Sequence, residues 1–195
     1  MCIRDSYEKA STQFSIQKTV STQLQIYASI LRRHRRRSSA RDGVVICGAY
    51  GRGNAGDDAI LELSDYAKGS GVRIWVENIL SYISNFLNTM RQVQDFVSDL
   101  GRDNVGVHLD TYSMNMEDND ILGSIRYCAK NLEYVHFSDT ARLYPGGGNV
   151  DFKTFLHGLW EVDYKGYITT ECVPVPTAYE CAKRGFEYML SLIHI

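Results

Sequence analysis

Val105-Gly-Val-His-Leu-Asp110 is a strand-like run that ends on a carboxylate. Three more runs in the second half of the chain end on a metal-ligand residue. Residues 72–76 lead to Glu77, residues 134–135 to His136, and Tyr167-Ile-Thr-Thr170 to Glu171. A helix-like run follows each of them. Strands and helices alternating at this length specify a parallel sheet with right-handed crossovers. In a β/α barrel the carboxyl ends of the strands face one mouth, where active sites are built. Four ligand-type residues, distant in sequence, would therefore converge there. The competing architecture is a doubly wound open sheet, which gathers its site at one switch point. Ligands on four successive strands favour the barrel. The expected fold is α/β: a partial (β/α) TIM-type barrel of four βα units.

The intervening helices are predicted one by one. Thr89 with Gln92 forms a capping box, and Met90, Val93, Phe96, Val97 and Leu100 then share a face. Ile121, Leu122, Ile125, Cys128 and Ala129 recur at helical spacing after Asp110. Asp151 is placed to N-cap a helix carrying Phe155, Leu156 and Leu159. A second capping box, Thr177 with Glu180, precedes the stripe Ala178, Cys181, Ala182, Gly185, Phe186 and Met189.

The first 60 residues differ in character. Residues 15–37 read as an amphipathic helix with Val20, Leu24, Tyr27, Ile30 and Leu31 on one face and a basic end at Arg32, Arg33, Arg35, Arg36 and Arg37. Such a run is usually a solvated helix end. Residues 38–42 form a polar linker. An apolar strand at 44–47 then enters the turn Gly48-Ala-Tyr-Gly51-Arg-Gly53-Asn-Ala-Gly56-Asp-Asp. The expected divisions are 1–42, helical and basic; 43–60, strand and glycine-rich turn; 61–190, half barrel; and 191–195, a tail. Residues 61–190 fall well short of the roughly 250 residues of a complete barrel.

With 195 residues, 44% hydrophobic, 23% charged and a net charge of −2, the composition is that of a soluble globular protein and argues against a nucleic-acid partner. No apolar run reaches the roughly 20 residues of a membrane span. No signal peptide is expected, because residues 1–15 lack an apolar core. The five cysteines contain no C-x-x-C pair, which points to reduced thiols and a cytoplasmic location. An oligomer is compatible with this composition.

Residues 61–190 resemble the sugar isomerase/epimerase family with the xylose-isomerase-like barrel, nearest its tagatose/psicose 3-epimerase branch. The resemblance rests on Val76-Glu77-Asn78, on Leu109-Asp110-Thr-Tyr-Ser-Met-Asn-Met-Glu117-Asp118, on Val135-His136-Phe-Ser-Asp139 with Arg142 and Pro145-Gly-Gly-Gly148, and on Thr170-Glu171. It implies that Glu77, Asp110, His136 and Glu171 bind one divalent metal. Three carboxylates and an imidazole are a hard, oxygen-rich set suited to Mn²⁺, Mg²⁺ or Co²⁺. The resemblance further implies a ketose substrate and an enediolate mechanism. In it, Glu77 and Glu171 act in turn as proton acceptor and donor, and Arg142 helps hold the substrate. Ser113, also a substrate-contact position, stands where the branch usually has histidine; serine is shorter and cannot carry charge, which sets this chain apart on substrate or activity.

Two shorter resemblances lie upstream. Residues 14–31, within a stretch of about 7–37, look like the C-terminal tail of a retaining glycosyltransferase. Residues 44–60 resemble the start of the polysaccharide pyruvyl transferase family, which would imply phosphoenolpyruvate and a glycan as substrates. The ends, residues 1–6 and 191–195, look like translated sequencing-adapter sequence, so the whole reads as a chimeric metagenomic reading frame. Glycines between a strand and a helix also let backbone N–H groups approach a phosphate, although the spacing here is not G-x-G-x-x-G. The alternatives to a sugar epimerase are thus a pyruvyl transferase-like fragment and a non-enzymatic remnant with exposed sheet edges. His108 shares the strand parity of Asp110 and reads as a core histidine beneath the site. His157 reads as an exposed helix residue, and Asp139 as a loop-orienting residue.

Overall fold

The computed structural model describes residues 43–46 and 55–193. The basic helix expected over 15–37, the linker at 38–42 and residues 48–54 of the glycine-rich turn lie outside the described residues. Chain packing divides the molecule into two units. One comprises Met1–Val44 and Tyr50–Ile74; the other comprises Val45–Ala49 and Trp75–Ile195.

In chain order the elements are β1 (Gly43–Ile46), α1 (Ala55–Gly69), β2 (Arg73–Glu77), α2 (Met90–Leu100), β3 (Val105–Asp110), α3 (Thr111–Glu117), α4 (Ile121–Cys128), β4 (Leu132–Phe137), a 3-10 turn (Thr140–Arg142), α5 (Phe152–Glu161), β5 (Tyr167–Thr170) and α6 (Ala178–Ile193). The strands lie side by side in the order β1-β2-β3-β4-β5. Both β3–β4 and β4–β5 are parallel. Among the described residues the strand order never reverses and shows no switch point, which favours the barrel over the doubly wound alternative. The architecture is a partial α/β barrel.

In the first unit, α1 buries Ile60, Leu63 and Ala67 along one stripe. In the second, α2 forms where its caps predict. Thr89 Oγ1 accepts from the Gln92 N–H at 3.3 Å, and Gln92 Oε1 accepts from the Thr89 N–H at 3.1 Å. The helix ends at Gly101, whose φ of 61° is the left-handed geometry glycine adopts without strain. Met90, Val93, Phe96 and Val97 are buried, each side chain contributing roughly 1.5–3 kcal/mol relative to exposure. Asp151 caps α5 by accepting from Lys153 and Thr154; Phe152, Phe155 and Leu159 are buried, and the Phe152 ring centre lies 5.0 Å from that of Phe137 on β4. Thr177 Oγ1 accepts from the Glu180 N–H at 3.2 Å at the start of α6, which runs past residue 190 to Ile193.

Two features differ from the pattern read in the sequence. The segment after β3 holds two helices rather than one, because Asp110 itself caps α3 and Asp120 starts α4 afresh. Strand β5 is largely exposed, with Tyr167 at 76%. It is an edge strand, and between it and α6 lies an apolar groove of about 680 Å³ lined by Phe137, Ile168, Tyr179, Phe186 and Met189.

Candidate metal centre

Register delivers the candidate ligands to one place. Asp110 on β3 is level with His136 on β4, and His136 is level with Thr169 on β5. Residues two apart on a strand share a face, so Glu171 returns to the face carrying His136. Glu77 ends β2. Glu77, Asp110, His136 and Glu171 each offer one donor atom, and these atoms lie within 4.8 Å of one another. Donors on opposite sides of an ion at about 2.2–2.4 Å are about 4.4–4.8 Å apart, so the set is already close enough to surround one cation.

The electrostatics favour positive charge at the centre. Asp110 is completely buried, which pushes its carboxyl above its ordinary range, while Arg142 opposes the shift. His136 Nδ1 lies 3.2 Å from Glu171 Oε2 and 3.4 Å from Glu77 Oε1, with ion-pair rather than hydrogen-bond alignment. Burial opposes the imidazolium, but the two glutamates outweigh it and raise His136 to about 9. His136 and Arg142 in turn hold the Glu171 carboxyl below its usual range. His108 is pushed down to about 4, chiefly by burial.

Arg142 is within the ligand set itself. Its Nη1 donates to Asp110 Oδ2 at 2.6 Å and to Glu171 Oε2 at 3.0 Å, and its guanidinium carbon lies 5.2 Å from the Tyr112 ring centre. One nitrogen of a cation thus bridges two of the four candidate ligands, as a stand-in for an ion. The turn that delivers it is strained: Ala141 and Arg142 sit at φ 58° and 57°. Such left-handed residues cost of order 1–3 kcal/mol each and persist where neighbours hold them. Asp139 is that support. Its carboxylate accepts from the N–H groups of Thr140, Gly146 and Val150 at 2.7, 2.9 and 2.9 Å, and the Val173 N–H donates to the Arg142 carbonyl at 2.7 Å. The loop-orienting role read for Asp139 matches these bonds. A side chain at Gly148 would meet Asp139 Oδ1 at 2.5 Å, so the glycine is required by close approach.

Ser113 is buried on α3, and its N–H donates to Asp110 Oδ1 at 2.8 Å. His108 is fully buried beneath the site, and His157 is exposed on α5, 3.3 Å from Glu161.

Two further residues, neither of ligand type, support the site. Asn78 Oδ1 accepts from the Asp110 N–H at 3.0 Å. Thr111 Oγ1 donates to the Ser138 carbonyl at 2.8 Å and accepts from the Ser138 N–H at 2.9 Å, fastening the end of β3 to the end of β4. Their signal in the sequence is position: each is a polar residue directly after a strand-terminal carboxylate. Asn78→Ala leaves the buried Asp110 N–H unpaired and is expected to destabilise the chain by about 1–3 kcal/mol. Urea denaturation read by circular dichroism measures this, and a change below a few tenths of a kcal/mol would remove Asn78 from the support of the site.

Sequential parallel strands carrying a carboxylate-rich cluster at their carboxyl ends define a barrel with a candidate metal site at its mouth. The chain belongs to the xylose isomerase-like TIM barrel family, whose family model matches residues 52–191. It is 39% identical over 113 residues to the ketose 3-epimerase of Arthrobacter globiformis, covering 58% of this chain and 39% of that protein. It is 40% identical over 113 residues to the L-ribulose 3-epimerase of Methylomonas sp. (strain DH-1), covering 58% and 40%. The chain therefore spans about two fifths of these relatives. Among solved structures, the D-allulose 3-epimerase of Methylomonas sp. in complex with D-allulose superposes with a TM-score of 0.63 at 33% identity, covering 70% of this chain and 51% of that one. No helix among the described residues is long and apolar enough to cross a membrane.

Proposed function

We propose that this chain carries the metal-binding part of a sugar epimerase that moves a proton at the carbon next to a ketose carbonyl. The observation that carries the reading is the set of four donors, Glu77, Asp110, His136 and Glu171, at the carboxyl ends of consecutive parallel strands. The ketose 3-epimerase relatives support the same reaction class.

The four donors would hold the ion, with Mn²⁺, Mg²⁺ and Co²⁺ as the matching metals. A bound divalent cation supplies Lewis-acid polarisation of the substrate carbonyl. The protein's own residues do the rest. Glu171 is an ionised carboxylate at neutral pH, held so by His136 and Arg142, and is a competent proton acceptor. Glu77 is the second acid/base group, acting from the side of the bound substrate opposite Glu171. A proton leaves the substrate carbon to one glutamate, its electron pair passes toward the carbonyl oxygen to give an enediolate, and the other glutamate returns a proton to the opposite face. Arg142 is placed to pair with the developing oxyanion once it leaves Asp110 and Glu171. Ser113 is the substrate-contact position where this chain departs from the branch, and is the proposed origin of any difference in sugar preference. The compartment proposed is the cytoplasm, which suits the free thiols of Cys128, Cys172 and Cys181.

The test has two stages. Calorimetry with Mn²⁺ reads binding. Incubation of the loaded chain with a ketose in D₂O, followed by mass spectrometry, reads exchange of the substrate C–H. Binding with deuterium incorporation is expected; a loaded chain that incorporates none would overturn the reading.

A further inference from the structure

His108 is 0% exposed, yet neither of its ring nitrogens has a hydrogen-bond partner among the described residues. A buried imidazole is normally satisfied, because each unmade bond costs about 1–3 kcal/mol. A histidine that merely filled the core would be expected to find at least one partner. The ring instead lies against the metal centre. Its centroid is 4.1 Å from that of His136, edge to face, and its Nδ1 is 3.9 Å from Glu77 Oε2. His136 Nδ1 is 3.4 Å from Glu77 Oε1. Donor atoms of Glu77, His108 and His136 lie within 4.8 Å of one another, a second group that shares Glu77 and His136 with the four-donor set. Tetrahedral zinc with ligands at about 2.0–2.1 Å keeps its donors about 3.3–3.4 Å apart, so small rotations close this group around an ion.

We propose that Glu77, His108 and His136 form an inner seat for a borderline divalent cation such as zinc, below the outer oxygen-rich seat. The chemistry of the two sets differs. The outer set offers three carboxylates and one imidazole and suits Mn²⁺ or Mg²⁺; the inner set offers two imidazoles and one carboxylate, a donor set preferred by Zn²⁺. Glu77 and His136 belong to both sets, so the seats exclude each other. An ion in the inner seat withdraws Glu77 from substrate and leaves Asp110 and Glu171 paired with Arg142. Zinc therefore binds in competition with manganese and holds the site in an unproductive arrangement. The inference rests on the outer-seat reading for this competition, but not for the existence of the inner seat.

The probes are Zn²⁺, Mn²⁺ and Co²⁺ added to the purified full chain, with His108→Asn and His108→Leu as variants. One keeps a polar group and the other fills the space with an apolar one. In the wild-type chain, one equivalent of Co²⁺, an ion that either seat could take, is expected to be displaced by excess Zn²⁺ with loss of its visible absorption. A Co²⁺ spectrum that excess Zn²⁺ leaves unchanged would overturn the proposal without recourse to any variant. By calorimetry, a folded His108 variant is expected to lose at least about 100-fold in Zn²⁺ affinity while Mn²⁺ affinity changes less than about threefold. Equal losses for both ions would make His108 a structural prop, and no loss for either would make it a core residue; both outcomes overturn the proposal. If the wild type binds Zn²⁺ through His108 but never binds Mn²⁺, the inner seat stands and the outer-seat reading fails.

Discussion

Asp110→Asn is expected to weaken Mn²⁺ binding at least about 100-fold while leaving the chain folded. Outer-shell partners of a metal ligand typically account for 10–100-fold in affinity, and a directly ligating carboxylate lies above that range. Asp110 also has a second task, because its Oδ1 accepts from the Ser113 N–H and caps α3. Asparagine caps a helix nearly as well as aspartate, so the substitution removes charge and keeps the cap. Alanine removes both and costs about a further 1 kcal/mol of stability. The metal-free protein feels the two changes differently from the loaded one. In it, Asp110 is a buried carboxylate balanced mainly by Arg142, and replacing it would leave that guanidinium paired with Glu171 alone. Calorimetry with Mn²⁺ reads the affinity, and thermal melting in EDTA reads the fold. Mn²⁺ affinity unchanged in a folded Asp110→Asn chain would sink the claim that these four residues form a metal site.

What was legible in the sequence follows from what the sequence repeats. The residues ending β2 and β3, the penultimate residue of β4 and the residue just after β5 are of ligand type, and strand parity then fixes the face on which they stand. Asp110 and His136 are level across the β3–β4 ladder. The capping box at Thr89 and Gln92 and the cap at Asp151 are local signals, and they form as read. Helix α3 was hidden because seven residues are too few for a 3.6-residue period to declare itself. Its N-cap is also the residue that reads most readily as a ligand. The position of Arg142 inside the cluster was hidden for another reason. It depends on two successive left-handed residues, Ala141 and Arg142, held there by Asp139 from outside the turn. Neither alanine nor arginine announces that geometry. The exposure of β5 is a property of its place at the sheet edge rather than of its own composition, for Tyr167-Ile-Thr-Thr170 has the residue types of a covered strand.

Glu77→Gln and Glu171→Gln are each expected to slow exchange of the substrate C–H with solvent by at least about 100-fold. Glutamine keeps the shape of glutamate and one of its oxygens, but it cannot take a proton. The two variants separate by environment. The Glu77 side chain is 5% exposed and belongs to the innermost part of the cluster, whereas that of Glu171 is 52% exposed and faces the mouth. Glu171→Gln therefore leaves most of the donor set in place, and its effect should fall on exchange with Mn²⁺ affinity weakened less than in Asp110→Asn. Glu77→Gln withdraws a buried charge beside His136 and should weaken metal binding as well as exchange. Rates must consequently be compared at saturating Mn²⁺, where a residual loss belongs to proton transfer alone. If the substituted glutamate is the acceptor for the proton first removed, wash-in of deuterium stops from one epimer of the ketose before the other. Two-glutamate chemistry thus predicts opposite epimer preferences for the two variants. Equal slowing from both epimers in both variants would instead assign the pair to metal binding only, and would leave the proton acceptor to be found elsewhere in the site.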